Sequence, residues 1–333
     1  MIEAKELVIG YRAYKNERLV AGGLNFTLPD GRLTALLGPN GSGKSTLIRT
    51  LSGLQPVISG DVLLDDVSLS SRSRVELSKR LSIVLQEPIR GTHLSVFELV
   101  ALGRIPHTNR MGNLAGPDLE KVYESLNATG ITALSTRKIS QLSDGELQRA
   151  MIAKALAQET HYILLDEPTA HLDVLGKIEL IDKLRSLTTS KTILFSTHDV
   201  ELALQMADHI WLIDENGTVK TGAPEDLVLE GSIGNIYSRN QEWGFDNQTG
   251  QILVPLINRS GGCSVEGSGL AYEWTLKALK RTGYAVNTGS GTAGPTIRVA
   301  ASGARPQWML VRENTVLEAR SIQQLLDLLS SRP

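Results

Sequence analysis

Gly38-Pro-Asn-Gly-Ser-Gly-Lys-Ser-Thr46, written GPNGSGKST, follows the apolar run LTALL (33–37) and leads into LIRTLSGL (47–54). This is the pattern GxxxxGK[ST] in its required setting, after a strand and at the start of a helix. Its glycines let successive backbone N–H groups close around the β- and γ-phosphates of a nucleotide. Lys44 offsets their charge, and the helix start favours an anion. The Ser45 hydroxyl is placed to ligate Mg²⁺. A strand, a glycine-rich loop and a helix in succession open an α/β domain.

Upstream, LVIGY and LNFTL, the latter closed by Pro29, Asp30 and Gly31, read as an antiparallel β entry, and DVLLDD (61–66) returns to strand. Downstream, YILLD (162–166), TILFST (192–197) and IWLID (210–214) are short, nearly continuous apolar runs. Such runs suit parallel strands covered on both faces, and the helical patterns between them predict a doubly wound sheet. Residues of about 87–150, with SVFELVALGR and LEKVYESLNATG, read as a helical insertion. Residues 1–250 are expected to form the nucleotide-binding domain and 251–333 a small α+β accessory domain. There the glycine content rises, and Ile322, Leu325, Leu326 and Leu329 share one helix face. Trp274 and Trp308 are expected in that domain's core.

Two further stretches carry chemistry. YILLDEPT ends an apolar strand on Asp166 and Glu167, adjacent carboxylates that can divide two tasks. Asp166 would hold Mg²⁺ through water, and Glu167 would orient and polarise the water that attacks the γ-phosphate in line. QLSDGELQRAMIAKALA (141–157) places Ser143 and Gly145 at another helix start, a second anion-seeking position in a chain with one P-loop. Taken alone, Ser143 with Glu146 three residues later also reads as a capping box.

Six motifs in order make the chain resemble the ATP-binding-cassette (ABC) ATPases: GPNGSGKST, Gln86 after SIVLQ, LSDGE, YILLDEPT, the AHLD loop and His198 in FSTHD. The resemblance spans about residues 1–240. It implies a P-loop NTPase fold with a RecA-like core, an antiparallel β subdomain and a helical subdomain, and ATP and Mg²⁺ as cofactors. Two copies would pack head to tail, so that Gly38, Pro39, Asn40, Gly41, Ser42, Gly43, Lys44, Ser45 and Thr46 of one face Leu142, Ser143, Asp144, Gly145 and Glu146 of the other. Lys44, Gln86, Glu167 and His198 would be catalytic, and Ser45, Gln86 and Asp166 would be metal-linked. Asp173 would cross the interface, and Tyr11, with Tyr14 as competitor, would stack on adenine. A lone histidine after a strand is ordinarily a packed core residue, so the role of His198 rests on the resemblance. The signature departs from LSGGQ at Asp144 and Glu146.

SVFELVALGRIPHT (95–108) and THDVELALQMADHIWLI (197–213) are similar to importer ATPases serving iron-siderophore, haem and cobalamin permeases. The first, an exposed apolar and Arg-bearing stretch after Gln86, would seat a coupling helix of an integral membrane permease. A substrate-binding protein would be an indirect partner.

Acidic residues number 36 and basic ones 34, so the net charge of −2 lacks the positive excess that duplex DNA demands, and nucleic acid is not expected as partner. Cys263 is the single cysteine, which excludes an intrachain disulfide and suits a reducing compartment. No run approaches the ~20 apolar residues of a membrane span. These features suit the cytoplasm, and the resemblance implies a peripheral placement on the cytoplasmic face of the inner membrane. A soluble ABC-type ATPase unconnected to transport is the alternative.

Overall fold

The computed structural model describes residues 1–13, 16–86, 93–109, 112–238, 244–253, 262–287, 294–300, 306–312 and 315–330. Two compact units result, Met1–Ser238 with Phe245–Ile252, and Arg239–Gly244 with Leu253–Pro333. Tyr14 lies outside the described residues.

In the first unit β1 (Ile2–Ala13) and β2 (Asn16–Leu28) form a long antiparallel pair. Then come β3 (Leu33–Leu37), α1 (Lys44–Leu51), β4 (Ser59–Leu64) and β5 (Val67–Ser68). The strands β2-β1-β4-β5 make one antiparallel sheet. Asp65 and Asp66, read from sequence as the end of a strand, instead turn the chain at φ 51° and 60°. Short polar side chains of this kind tolerate the left-handed region.

The chain continues through α2 (Arg74–Ser78), β6 (Leu81–Val84), α3 (Val96–Ala101), α4 (Gly116–Ala128), α5 (Asp144–Ala157) and β7 (Tyr162–Leu165). Next are α6 (Val174–Ser186), β8 (Thr192–Thr197), α7 (Val200–Met206), β9 (His209–Ile213) and β10 (Val219–Gly222). The helices α8 (Pro224–Leu229) and α9 (Ser232–Tyr237) and the pair β11 (Gly244–Asp246) and β12 (Gln251–Leu253) follow. The central sheet runs β10-β9-β3-β8-β7-β6, parallel throughout except for the β10 edge.

Why these strands read as unbroken apolar runs is visible in β8. Ile193 and Phe195 enter a core built with the helical face, whereas Leu194 enters a second core with α1 and the antiparallel sheet. Leu36, Leu164, Trp211 and Ile213 join Leu194, while Ala35, Leu165 and Ile210 join Phe195. Successive side chains point to opposite faces, so a sheet covered on both sides needs apolar residues at every position.

Between β6 and β7 the helices α3, α4 and α5 pack on one another. Here one expectation fails. Arg104, read as part of an exposed stretch, is 5% exposed. Its Nε donates to Asp118 Oδ1 at 3.0 Å, and its Nη1 donates to Ala157 O at 2.8 Å and Glu159 Oε2 at 3.1 Å. It ties α4 to the end of α5, and a buried charge so partnered is costly to orphan, by about 3–5 kcal/mol. Val96, Leu99 and Val100 are buried as well, leaving Leu102 and Ile105 outside.

The second unit holds β13 (Gly262–Glu266), α10 (Leu270–Arg281), β14 (Ala285–Asn287), β15 (Thr296–Ala300), β16 (Gln307–Arg312), β17 (Thr315–Ala319) and α11 (Ile322–Ser330). Its sheet runs β14-β13-β15-β16-β17, parallel through β14, β13 and β15 and antiparallel beyond. Cys263, Val265, Ile297, Trp308 and Leu310 meet Leu279 of α10 and Leu325, Leu326 and Leu329 of α11 in one core. Trp308 is buried, and its Nε1 donates to Thr275 Oγ1 at 2.7 Å. Trp274 does not share that placement. It is 56% exposed on the outer side of α10, with Lys277 Nζ 4.8 Å from its ring centroid.

Candidate functional site

The C-terminal ends of β3, β7 and β8 deliver the site. Beyond β3, Gly41 and Gly43 adopt φ 83° and 103°. A Cβ on Gly38 would lie 2.4 Å from Ile213 O, and one on Gly43 would lie 2.4 Å from Val20 Cγ1. Only glycine lets this loop turn left-handed and sit so close to β9 and β2. Gly43 also caps α1, with no side-chain cap and no acidic residue in the first turn. The first amides of α1 are therefore capped by no side chain and carry no acid in their own turn.

Lys44 is 6% exposed, and its ammonium donates to Gly38 O at 2.8 Å and Pro39 O at 3.0 Å. Burial pulls its pKa down, against the opposing pull of the Glu167 and Asp166 charges. Ser42 Oγ is buried without a partner, although it sits inside the loop. An orphaned hydroxyl and a desolvated ammonium in one cradle fit a phosphate ligand.

From β7, Asp166 is 1% exposed and accepts a 2.7 Å hydrogen bond from Ser196 Oγ on β8. The same Ser196 hydroxyl accepts from the Glu167 N–H at 2.8 Å. Glu167 adopts φ 48°, a left-handed conformation uncommon for a long side chain and of the kind held at functional sites. Its Oε2 accepts from His198 Nδ1 at 3.2 Å, so the exposed imidazole and the carboxylate orient each other. His198 is thus not a packed core residue.

Tyr11, Asn40, Gly41, Gly43, Lys44, Ser45, Thr46, Gln86, Glu167 and His198 line one cleft of about 600 Å³, together with Arg18 and Val20. Tyr11 is half exposed, its hydroxyl 3.0 Å from Thr46 Oγ1, which leaves the ring at the cleft mouth. Among the described residues no cluster of three His, Cys, Asp or Glu side chains could hold a metal alone. The oxygens of Ser45, Gln86 and Asp166 suit a hard divalent cation completed by phosphate and water.

Leu142, Ser143, Asp144, Gly145, Glu146 and Asp173 stay outside that lining. Ser143 caps α5 and Asp173 caps α6, the latter accepting from Gly176 N at 2.7 Å. A Cβ on Gly145 would meet Leu172 at 2.8 Å, so this glycine admits the chain leading to Asp173. Sequence reading missed Ser196 and Arg18. A serine near the end of the apolar run TILFST, two residues before a histidine, was the available signal for the first.

A parallel α/β core, a glycine-built phosphate cradle after β3 and a paired Asp–Glu at the end of β7, one strand beyond β8, define a P-loop nucleotide-hydrolysing cassette. Residues 21–170 match the family model described as ABC transporter, and residues 260–330 match the one described as Iron ABC transporter C-terminal domain. The chain is 39% identical over 261 residues to the ferric enterobactin transport ATP-binding protein FepC of Escherichia coli (strain K12), covering 78% of this chain and 95% of that one. It is 37% identical over 238 residues to the petrobactin import ATP-binding protein FpuD of Bacillus anthracis, covering 71% and 86%. A dimeric, post-hydrolysis structure of the ATP-binding cassette MJ0796 bound to ADP and Pi superposes with a TM-score of 0.59 at 26% identity, over 67% of this chain and 99% of that one. The chain belongs to the ATP-binding subunits of ABC transporters, and its reaction is ATP hydrolysis.

Proposed function

We propose that two copies of this chain bind MgATP between them and hydrolyse it to drive uptake of an iron chelate of the siderophore type, haem or cobalamin through a separate membrane permease fed by a substrate-binding protein. The observation that carries the reading is the separation of the two anion-seeking helix starts. The α1 start lines the cleft, and the α5 start does not. A second copy turned head to tail would bring Ser143 and Gly145 to the other's γ-phosphate. Val174, Leu175 and Ile178, all exposed just beyond Asp173, supply apolar surface for such a contact. The iron-type C-terminal match and the siderophore-import names of the relatives support the cargo.

In this mechanism Lys44 and the loop amides hold the β- and γ-phosphates, and Tyr11 stacks on adenine. Ser45 and Gln86, with Asp166 through water, would hold Mg²⁺, which would neutralise charge on the phosphate oxygens. Glu167 accepts the proton of the attacking water as the oxygen bonds to the γ-phosphorus. The bond to the ADP oxygen breaks in line, giving ADP and phosphate. His198, oriented by Glu167, contacts the γ-phosphate. A groove of about 600 Å³, to which His93, Phe97 and Glu98 contribute from the stretch that follows Gln86 and Tyr123 and Lys138 from later in the helical insertion, is the seat for the permease's coupling helix at the cytoplasmic face.

Mixed dimers test the shared site. With Lys44→Ala on one chain and Ser143→Arg on the other, head-to-tail sites put both lesions in one site, and one ATP per dimer stays occluded. With both lesions on one chain, each site is damaged and occlusion is lost. The reverse pattern would overturn the reading.

A further inference from the structure

The start of α5 is closed by its own residue. Ser143 Oγ donates to Glu146 Oε2 at 2.9 Å, the Ser143 N–H donates to the same oxygen at 2.8 Å, and the Glu146 N–H donates back to Ser143 Oγ at 3.3 Å. These bonds, with Arg137 and Arg149 nearby, hold the Glu146 carboxyl below the usual carboxylate range, so it is ionised. Asp144 adds a second acid in the same turn. Two other helices carry the same box at their starts, Ser73 with Glu76 and Ser95 with Glu98. At Ser143 the box occupies the hydroxyl that the shared site would turn toward a phosphate.

One hydroxyl proton cannot serve a carboxylate and a phosphate oxygen together, and two anions competing for it repel. Arg137 offers the carboxylate another resting place, its Nη1 lying 3.8 Å from Glu146 Oε1. We propose that Glu146 is a removable stopper: it holds the Ser143 hydroxyl while the chain is alone, and moves onto Arg137 when the partner's nucleotide phosphate arrives. Closure of two copies is then opposed by one negative charge at each shared site, which raises the ATP concentration needed for it. Glu146 and Arg137 are positioning residues, acting through Ser143. The proposal rests on the shared-site reading above.

The test uses the full chain carrying Glu167→Gln to halt turnover, with and without Glu146→Gln, and follows dimer formation by sedimentation against MgATP concentration. Glutamine at this position keeps the reciprocal bonds of the capping box, so the substitution removes charge while the helix start stays formed, which an unchanged circular dichroism spectrum verifies. The half-maximal MgATP concentration is expected to fall about tenfold, as for one like charge some 4 Å from a phosphate at a partly exposed surface, and the difference should narrow as salt is raised. Arg137→Ala is expected to raise the requirement in the Glu146 chain and to leave it unchanged where Glu146→Gln is present. Dimers with the same or a higher ATP requirement after Glu146→Gln, or an Arg137→Ala effect of equal size in both backgrounds, would overturn the stopper alone. No dimer in either chain at saturating MgATP would overturn the shared-site reading and the stopper with it.

Discussion

The starts of α1 and α5 use the same backbone device in opposite charge states. At α1 a left-handed glycine caps the helix, no acid stands in the first turn, and a buried lysine adds positive charge. At α5 a serine caps the helix, Asp144 and Glu146 occupy the first turn, and the hydroxyl is already bonded. Exposed helix amides alone therefore do not make a phosphate site. The side chains of the first turn decide whether the start is open to an anion or satisfied from within.

The contrast predicts where damage falls. Glu167→Gln, at the open cleft, is expected to retain MgATP and to lower hydrolysis about a thousandfold, because the lost group acts on the reacting water. Phosphate release against nucleotide retention checks it, and a variant with normal turnover would detach the cleft from the chemistry. Lys44→Ala is expected to weaken MgATP binding by about 10- to 100-fold, the value of one or two charge-assisted hydrogen bonds, as read by equilibrium titration. Ser143→Ala, at the closed start, is expected to cost about 1 kcal/mol of stability, the loss of an N-cap. The MgATP affinity of the monomer should not change, since Ser143 does not line its own cleft. Calorimetry and titration of one sample separate the two effects, and a weakened monomer affinity would erase the distinction between the two starts.

Local pattern accounts for what was legible. LTALL and TILFST coincide with β3 and β8 because a doubly covered strand leaves an unbroken apolar run, and GPNGSGKST could be read because its glycines are required by φ and by close approach. Tyr11, Lys44, Gln86, Glu167 and His198 meet in one cleft as the motif order implied. What escaped reading depends on distant partners. Arg104 is buried by Asp118 and Glu159, 14 and 55 residues away. Ser196 acquires its task only through the parallel register that sets β8 beside β7. Trp274 and Trp308 both suit a core by residue type, and only the packing of α10 on its sheet tells the exposed ring from the buried one.

Cys263 lies wholly inside the core of the C-terminal unit, and burial pushes its thiol up to about 11. Because no other sulfhydryl exists in the 333 residues, this atom acts as a timer wired to one unit. An alkylating reagent in solution meets it only when that core opens, so the labelling rate counts those openings while the cassette stays silent. The molecule thus carries its own means of timing one of its two parts against the other.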